Sequence, residues 1–257
     1  MDCAARGIPV VVLDRLNPIG GEKIAGTILD TAFRSFVGDF GLPSRIGMTV
    51  GEYAHFVNDH CGLGLDLTVS PVRGWRRAQY FDDTDLPWVS TSPNIPALSS
   101  ALCYVGTCIF EGTNVSEGRG TTLPFEVVGA PWIDDRALFG ELRALGLPGV
   151  AFRRVSFTPT FQKHAGAQCN GVQLHVLDRE AADPFEAGLM LCDTIKAMYP
   201  NDFRWMPGKK DGSFSADRLL GTDAYTSGRM TARELLKVHK PGLDAFAAQK
   251  ERYHLYA

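Results

Sequence analysis

Residues 8–14, IPVVVLD, are the stretch whose reading decides the fold. Three valines and a leucine in succession, with no polar alternation, describe a strand buried on both faces of a parallel sheet. Such a strand needs neighbours on both sides, and nothing long enough to supply one precedes it. The expectation is that later strands flank it or that upstream sequence is missing. Working outward, residues 15–30 are punctuated by Asn17-Pro18 and Gly20-Gly21 and read as loop. A helix follows: Thr49 is its cap, Glu52 completes a capping box, and Gly62 or Gly64 ends it. Residues 65–72, LDLTVSPV, alternate as a strand should and stop at Pro71. The segment 73–97 is polar, aromatic and proline-rich without a period; its two tryptophans argue against disorder.

The second half alternates again. The sequence predicts a helix over 97–110, a strand near 125–129, an amphipathic helix over 134–146 with Asp at its start and Gly at its end, strands over 149–160 and 171–179, and a helix stopped by Pro200. From 214 to 256 it predicts short helices, with residues 231–240 and 243–254 as two of them. Strand–helix alternation without an internal repeat points to α/β architecture. A domain boundary is expected where the glycine-rich segment ends, giving residues 1–130 and 131–257.

Composition narrows the partners. Apolar residues make up 45% and charged residues 21% of the 257, ordinary values for a folded protein. The net charge of −3 gives no reason to expect nucleic acid or an anionic membrane, and no apolar run approaches the length of a membrane span. The N-terminal residues lack the layout of a signal peptide. Six scattered cysteines form no C-x-x-C pair and read as small buried hydrophobes. No metal-ligand spacing such as H-E-x-x-H and no G-x-S-x-G elbow occurs, so neither a metal, a cofactor nor a serine nucleophile is expected.

The chemistry concentrates in residues 110–126, FEGTNVSEGRGTTLPFE, with three glutamates, one arginine and three glycines. As an extended strand it would hold Glu111 and Glu117 about 20 Å apart, too far to share a substrate. Either it folds back or the glutamates do separate jobs. The glycine spacing fits no phosphate-loop pattern, and glutamates would repel a phosphate. A tight turn in which Glu111, Glu117 and Arg119 converge is one reading, with glycine supplying positive φ and Arg119 gripping carboxylates; a surface turn with a structural ion pair is the other. Leu-Asp-Arg occurs at 13–15 and 177–179, after a strand each time, where α/β sheets place ligands or simple loop clamps. Trp75, Tyr80, Phe81 and Trp88 would either floor a sugar site or pin the long loop to the core.

Taken in order, VVVLDRLNP, MTVGE, FDDTDLPWV, SPNIP, GTCIFEGTNVSEGRGTTLPFEVVGAPW, PTF, GVQLHVLDR and GTD resemble the NamZ-like (YbbC-like) exo-β-N-acetylmuramidases, from about residue 8 to the C-terminus. The resemblance implies a bacterial glycoside hydrolase removing terminal N-acetylmuramic acid from peptidoglycan fragments, without cofactor. It implies a partial Rossmann-like parallel-sheet domain followed by a smaller α/β (α+β) domain. It also implies catalytic roles for Glu117 and Glu111 and sugar-binding roles for Arg119, Asp14, Arg15, Asn17 and Asn114. Two departures stand out. The family's long segment ahead of the Leu-Asp-Arg strand, with a Pro-Glu-His-Gly motif, has no counterpart here, and Ile46 stands where the family pattern has histidine. The chain is therefore expected to be a shortened member, impaired in catalysis or reduced to binding muramyl sugars. Relatives are often exported, and any export signal is expected in that upstream segment.

Overall fold

The structure is a computed structural model describing residues 2–209 and 212–257. A short helix, α1 (Asp2–Ala5), precedes β1 (Val10–Leu13), which pairs in parallel with β2 (Leu67–Ser70), Val10 facing Leu67 and Leu13 facing Ser70. Parallel neighbours require a long crossover, and this one carries α2 (Val50–His60). The expected capping box is present: Thr49 Oγ1 accepts from the Glu52 amide, and the Glu52 carboxylate accepts from the Thr49 amide. Burial of β1 on both faces is not observed. Val11 and Leu13 are 64% and 74% exposed, because β2 is its single strand neighbour among the described residues. A run of valines specifies a strand, but what covers its two faces is a matter of distant chain.

The second sheet is antiparallel, in the order β3 (Val127–Ala130), β5 (Cys169–Val176), β4 (Val150–Phe157). Helices α3 (Leu98–Thr107), α4 (Asp135–Ala144) and α5 (Pro184–Met198) pack with it around a core in which Val128, Val172, Leu191 and Ile195 are fully buried. Helices α3 and α5 touch backbone to backbone at Gly106 and Gly188; a Cβ on Gly106 would lie 1.9 Å from the Pro184 carbonyl oxygen. One parallel and one antiparallel sheet with their helices make the mixed α/β fold that the alternation anticipates.

At the C-terminal end, α6 (Ser215–Leu220) is short as expected, but the two helices predicted after it are one, α7 (Ala232–Lys250), running through Pro241. Proline inside a helix removes a hydrogen bond and costs about 3 kcal/mol. Here buried residues on both sides of it anchor the two halves, Leu235 in the large core with Leu189 and Leu220 and Phe246 in a second cluster with Met48 and Phe56. The Lys250 ammonium ends the helix by donating to the carbonyls of Gly21 (2.8 Å), Gly47 (3.0 Å) and Glu22 (3.2 Å).

The long 73–97 loop divides the two roles expected of its aromatics. Trp75 and Tyr80 are buried and anchor it, whereas Phe81 and Trp88, edge to face at 4.9 Å, line a cavity. Among the described residues no helix is long and apolar enough to cross a membrane.

Candidate active site

The 110–126 segment folds back, and its glycines are the reason. Gly118 and Gly120 take φ of +80° and +83°, a region open to glycine, and a Cβ on Gly112 would come within 2.6 Å of the Ala216 backbone nitrogen. Phe110 and Val115, both fully buried, fix the two ends of the turn that presents Glu111. As a result Glu111 and Glu117 grip the same guanidinium: Arg119 donates to Glu111 Oε1 at 2.5 Å and to Glu117 Oε1 at 3.3 Å. Its Cζ also lies 5.0 Å from the centre of the Phe125 ring.

A second cation completes the group. Lys163 Nζ donates to Glu117 Oε2 at 2.8 Å and to the carbonyls of Phe110 (2.5 Å) and Val115 (3.1 Å). It rides a loop in which Gln162 and His164 hold positive φ, and His164 Nε2 lies 2.8 Å from the Asn114 carbonyl. Thr160 fastens the same loop to the Gly120 carbonyl through both its amide (2.8 Å) and its hydroxyl (2.9 Å). Two carboxylates thus face one guanidinium and one ammonium, so the cluster is formally neutral. Lys163 was not singled out by the sequence reading. The signal for it was electrostatic: two converging glutamates with a single arginine leave one negative charge unanswered.

The two carboxylates differ in access. Glu117 has a side chain 3% exposed with both oxygens engaged, while that of Glu111 is 25% exposed and faces a cavity of about 340 Å³ shared with Phe36, Ser215 and Arg218. Burial raises the pKa of Glu111 above the ordinary glutamate value; Arg119 opposes this and the charge of Glu117 adds to it. Glu111 is therefore the carboxyl fitted to carry a proton to something in the cavity. Burial also pushes the neighbouring Tyr104 phenol and Cys108 thiol up to about 12, which leaves both neutral and the thiol inert as a nucleophile. The third glutamate of the segment, Glu126, accepts from Ser99, Ser100 and Gln173 and braces the start of α3.

The other expected residues sit elsewhere. Asp14, at the end of β1, accepts from the amides of Arg15 (2.8 Å) and Gly51 (2.7 Å) and the hydroxyls of Thr49 (2.7 Å) and Tyr256 (2.5 Å). A carboxylate with those partners stands at the N-terminus of α2, where the helix dipole favours it. Arg15 is exposed at the rim of a larger, apolar cavity of about 500 Å³ walled by Leu13, Val72, Phe81 and Trp88. That cavity and the one at Glu111 share no lining residue. Asn17 closes a turn between the Ile19 amide and the Met48 carbonyl. Asn114 brackets the chain at Asp202 and Arg204. Both asparagine amides are committed to backbone.

Comparison with known proteins gives a consistent picture. Residues 1–99 match the family described as exo-beta-N-acetylmuramidase NamZ, N-terminal, and residues 102–256 match exo-beta-N-acetylmuramidase NamZ, C-terminal. The peptidoglycan beta-N-acetylmuramidase NamZ of Bacillus subtilis (strain 168) is 43% identical over 253 residues, 97% of this chain. The chain spans 60% of the length of that relative. Among solved structures, a DUF1343 family protein of Bacteroides fragilis NCTC 9343 superposes with a TM-score of 0.89 at 29% identity, covering 100% of this chain and 68% of that one. A second DUF1343 protein of the same organism gives 0.75 at 31% identity, over 99% of this chain and 68% of that one.

Proposed function

This chain belongs to the NamZ family of exo-β-N-acetylmuramidases, and from that premise we propose that it is a glycoside hydrolase releasing terminal, β-linked N-acetylmuramic acid from peptidoglycan fragments. The observation that carries the mechanism is Glu111, a half-buried carboxyl with raised proton affinity that faces a cavity and is aimed by Arg119. Glu111 gives its proton to the departing glycosidic oxygen. The acetamido oxygen of the substrate attacks the anomeric carbon from the opposite face, a route open to N-acetylated sugars. Glu111, now ionised, takes a proton from the water that opens the resulting ring. Glu117 and Lys163 do not reach the sugar in this scheme. They hold Arg119, and through it the orientation of Glu111.

Arg15 and the apolar cavity beside it are the second contact surface in this reading, suited to a ring face or an acyl chain of a neighbouring unit. A net charge of −3 keeps nucleic acid out of the account. The test is turnover of a chromogenic β-N-acetylmuramide by the 257-residue chain. Glu111→Gln is expected to lower kcat by about 10²–10⁴-fold with little change in KM. Full turnover in that variant would place the acid elsewhere. Binding of muramyl sugars without any turnover by the unaltered chain would reduce the protein to a receptor for wall fragments.

A further inference from the structure

The cavity at Glu111 has a second charged wall that proton transfer leaves unused. Arg218, on α6, lines it beside Lys209 and Ser215, and also lines an adjoining cavity of about 230 Å³. Of the arginines that are buried or half-buried, Arg45, Arg77, Arg119 and Arg179 all donate to a carbonyl or a carboxylate. Arg218, equally half-buried, has no hydrogen-bond or ion-pair partner among the described residues. A guanidinium carries five donors in a planar fork, and leaving them partly desolvated without an acceptor is unfavourable.

Among the described residues, the acidic groups nearby are already taken. Asp39, in the adjoining cavity, pairs with Arg34 at 2.9 Å. Asp217, next in sequence, accepts from the Phe214 amide (2.7 Å) and the Thr226 hydroxyl (2.5 Å). Glu111 itself is held by Arg119. This wall is therefore short of an anion, and it lines the same cavity as the carboxyl that would protonate the glycosidic oxygen. We propose that Arg218 reads the carboxylate of an acidic amino sugar seated in this cavity, and so sets selection for N-acetylmuramic acid over sugars without its lactyl ether. The assignment rests on the reading of the Glu111 cavity as the sugar site. A planar fork meets a carboxylate with two parallel hydrogen bonds, which lysine at the same position would not reproduce.

The experiment is calorimetric titration of the full chain with N-acetylmuramic acid and with its methyl ester, which keeps the ring and lactyl ether but not the charge. The unaltered protein is expected to bind the acid about ten- to a hundredfold more tightly than the ester, the range of a charge-assisted hydrogen bond. Arg218→Ala should make the two equal by weakening the acid alone, and Arg218→Lys should recover part of the difference. In turnover of the chromogenic muramide, Arg218→Ala should raise KM and leave kcat in place. Equal binding of acid and ester by the unaltered protein would overturn the assignment while leaving the sugar site standing. Binding of neither would overturn the assignment together with the reading it rests on. That comparison needs no variant, so a misfolded Arg218→Ala cannot obscure it.

Discussion

Replacing Glu117 by glutamine separates what a buried carboxylate does for the fold from what it does for the reaction. Its side chain is 3% exposed, and its oxygens receive Arg119 at 3.3 Å and Lys163 at 2.8 Å. The amide keeps the shape but turns a neutral four-charge cluster into one carrying a net positive charge. Removing one partner of a buried pair costs about 3–5 kcal/mol, because the charge left behind is uncompensated. The Lys163 and Arg119 side chains are 22% and 27% exposed, so water reaches them and the lower end applies, about 3 kcal/mol. For a chain of this size that is a fall in Tm of roughly 6–12 °C. Urea and thermal unfolding of Glu117→Gln, Lys163→Met and the double variant would measure it. Lys163→Met leaves the cluster negative and the double variant makes it neutral again. The double variant should therefore be less destabilised than the two singles added together, by about 1–3 kcal/mol. A loss under about 0.5 kcal/mol for Glu117→Gln, or strict additivity, would refute the view of these side chains as one interdependent unit.

The same two substitutions should move the pH profile in opposite directions. Glu111 is raised by burial and by Glu117 and lowered by Arg119 and Lys163, so activity falls on the alkaline side as it ionises, above the ordinary glutamate range. Glu117→Gln should carry that limb to lower pH and Lys163→Met to higher pH; movement of both in one direction would contradict the assignment. By linkage, the stability that Glu111 contributes is present below the ordinary glutamate pKa and is lost as pH rises through its raised folded value, which unfolding curves across that window would detect. Gly106→Ala should cost about 3 kcal/mol or more, since its Cβ would meet the Pro184 carbonyl at 1.9 Å, whereas Gly140→Ala on α4, with open space around it, should gain about 0.4–1 kcal/mol by the same unfolding assay. Tyr256→Phe deletes the hydroxyl that donates to Asp14 and accepts from the Val72 amide, and should cost about 1.5–3 kcal/mol in urea unfolding.

What was legible in the sequence was what depends on near neighbours. The capping box at Thr49 and Glu52 spans three residues, and the turn that brings Glu111 to Arg119 spans eight; both are encoded by residue type and glycine placement. Lys163 completes the cluster from 46 residues beyond Glu117, and no local pattern reports that distance. The same limit explains β1. Its valines announce a strand, but whether Val11 and Leu13 are covered depends on chain far from them. It explains α7 as well, where a proline that reads as a boundary is overridden by burial on either side. Asn17 and Asn114 show the converse: each stands in a motif that draws attention to function, and each has an amide holding backbone.

The two regions matched by the family are not two independent folds, and the buried charges make the case. Glu52, in the first, is fully buried, and its carboxylate is satisfied by the Thr49 amide, by Arg77 and by the amide of Leu255 from the second. Asp14 likewise takes one of its four hydrogen bonds from Tyr256. The Arg77 amide donates to the Ala257 carbonyl, and Lys250 closes on the carbonyls of Gly21 and Gly47. On the far side Arg179, beyond β5, pairs through both its terminal nitrogens with Asp82 of the long loop. A two-stranded parallel sheet has too little apolar surface to stand alone. Residues 250–257 supply acceptors and donors that its buried carboxylates and arginine would otherwise lack. It follows that the cavity rimmed by Arg15 and the cavity flanked by Glu111 and Arg218 are set in one frame, because the C-terminal residues that brace Asp14 belong to the same chain segment that continues from α6 and α7.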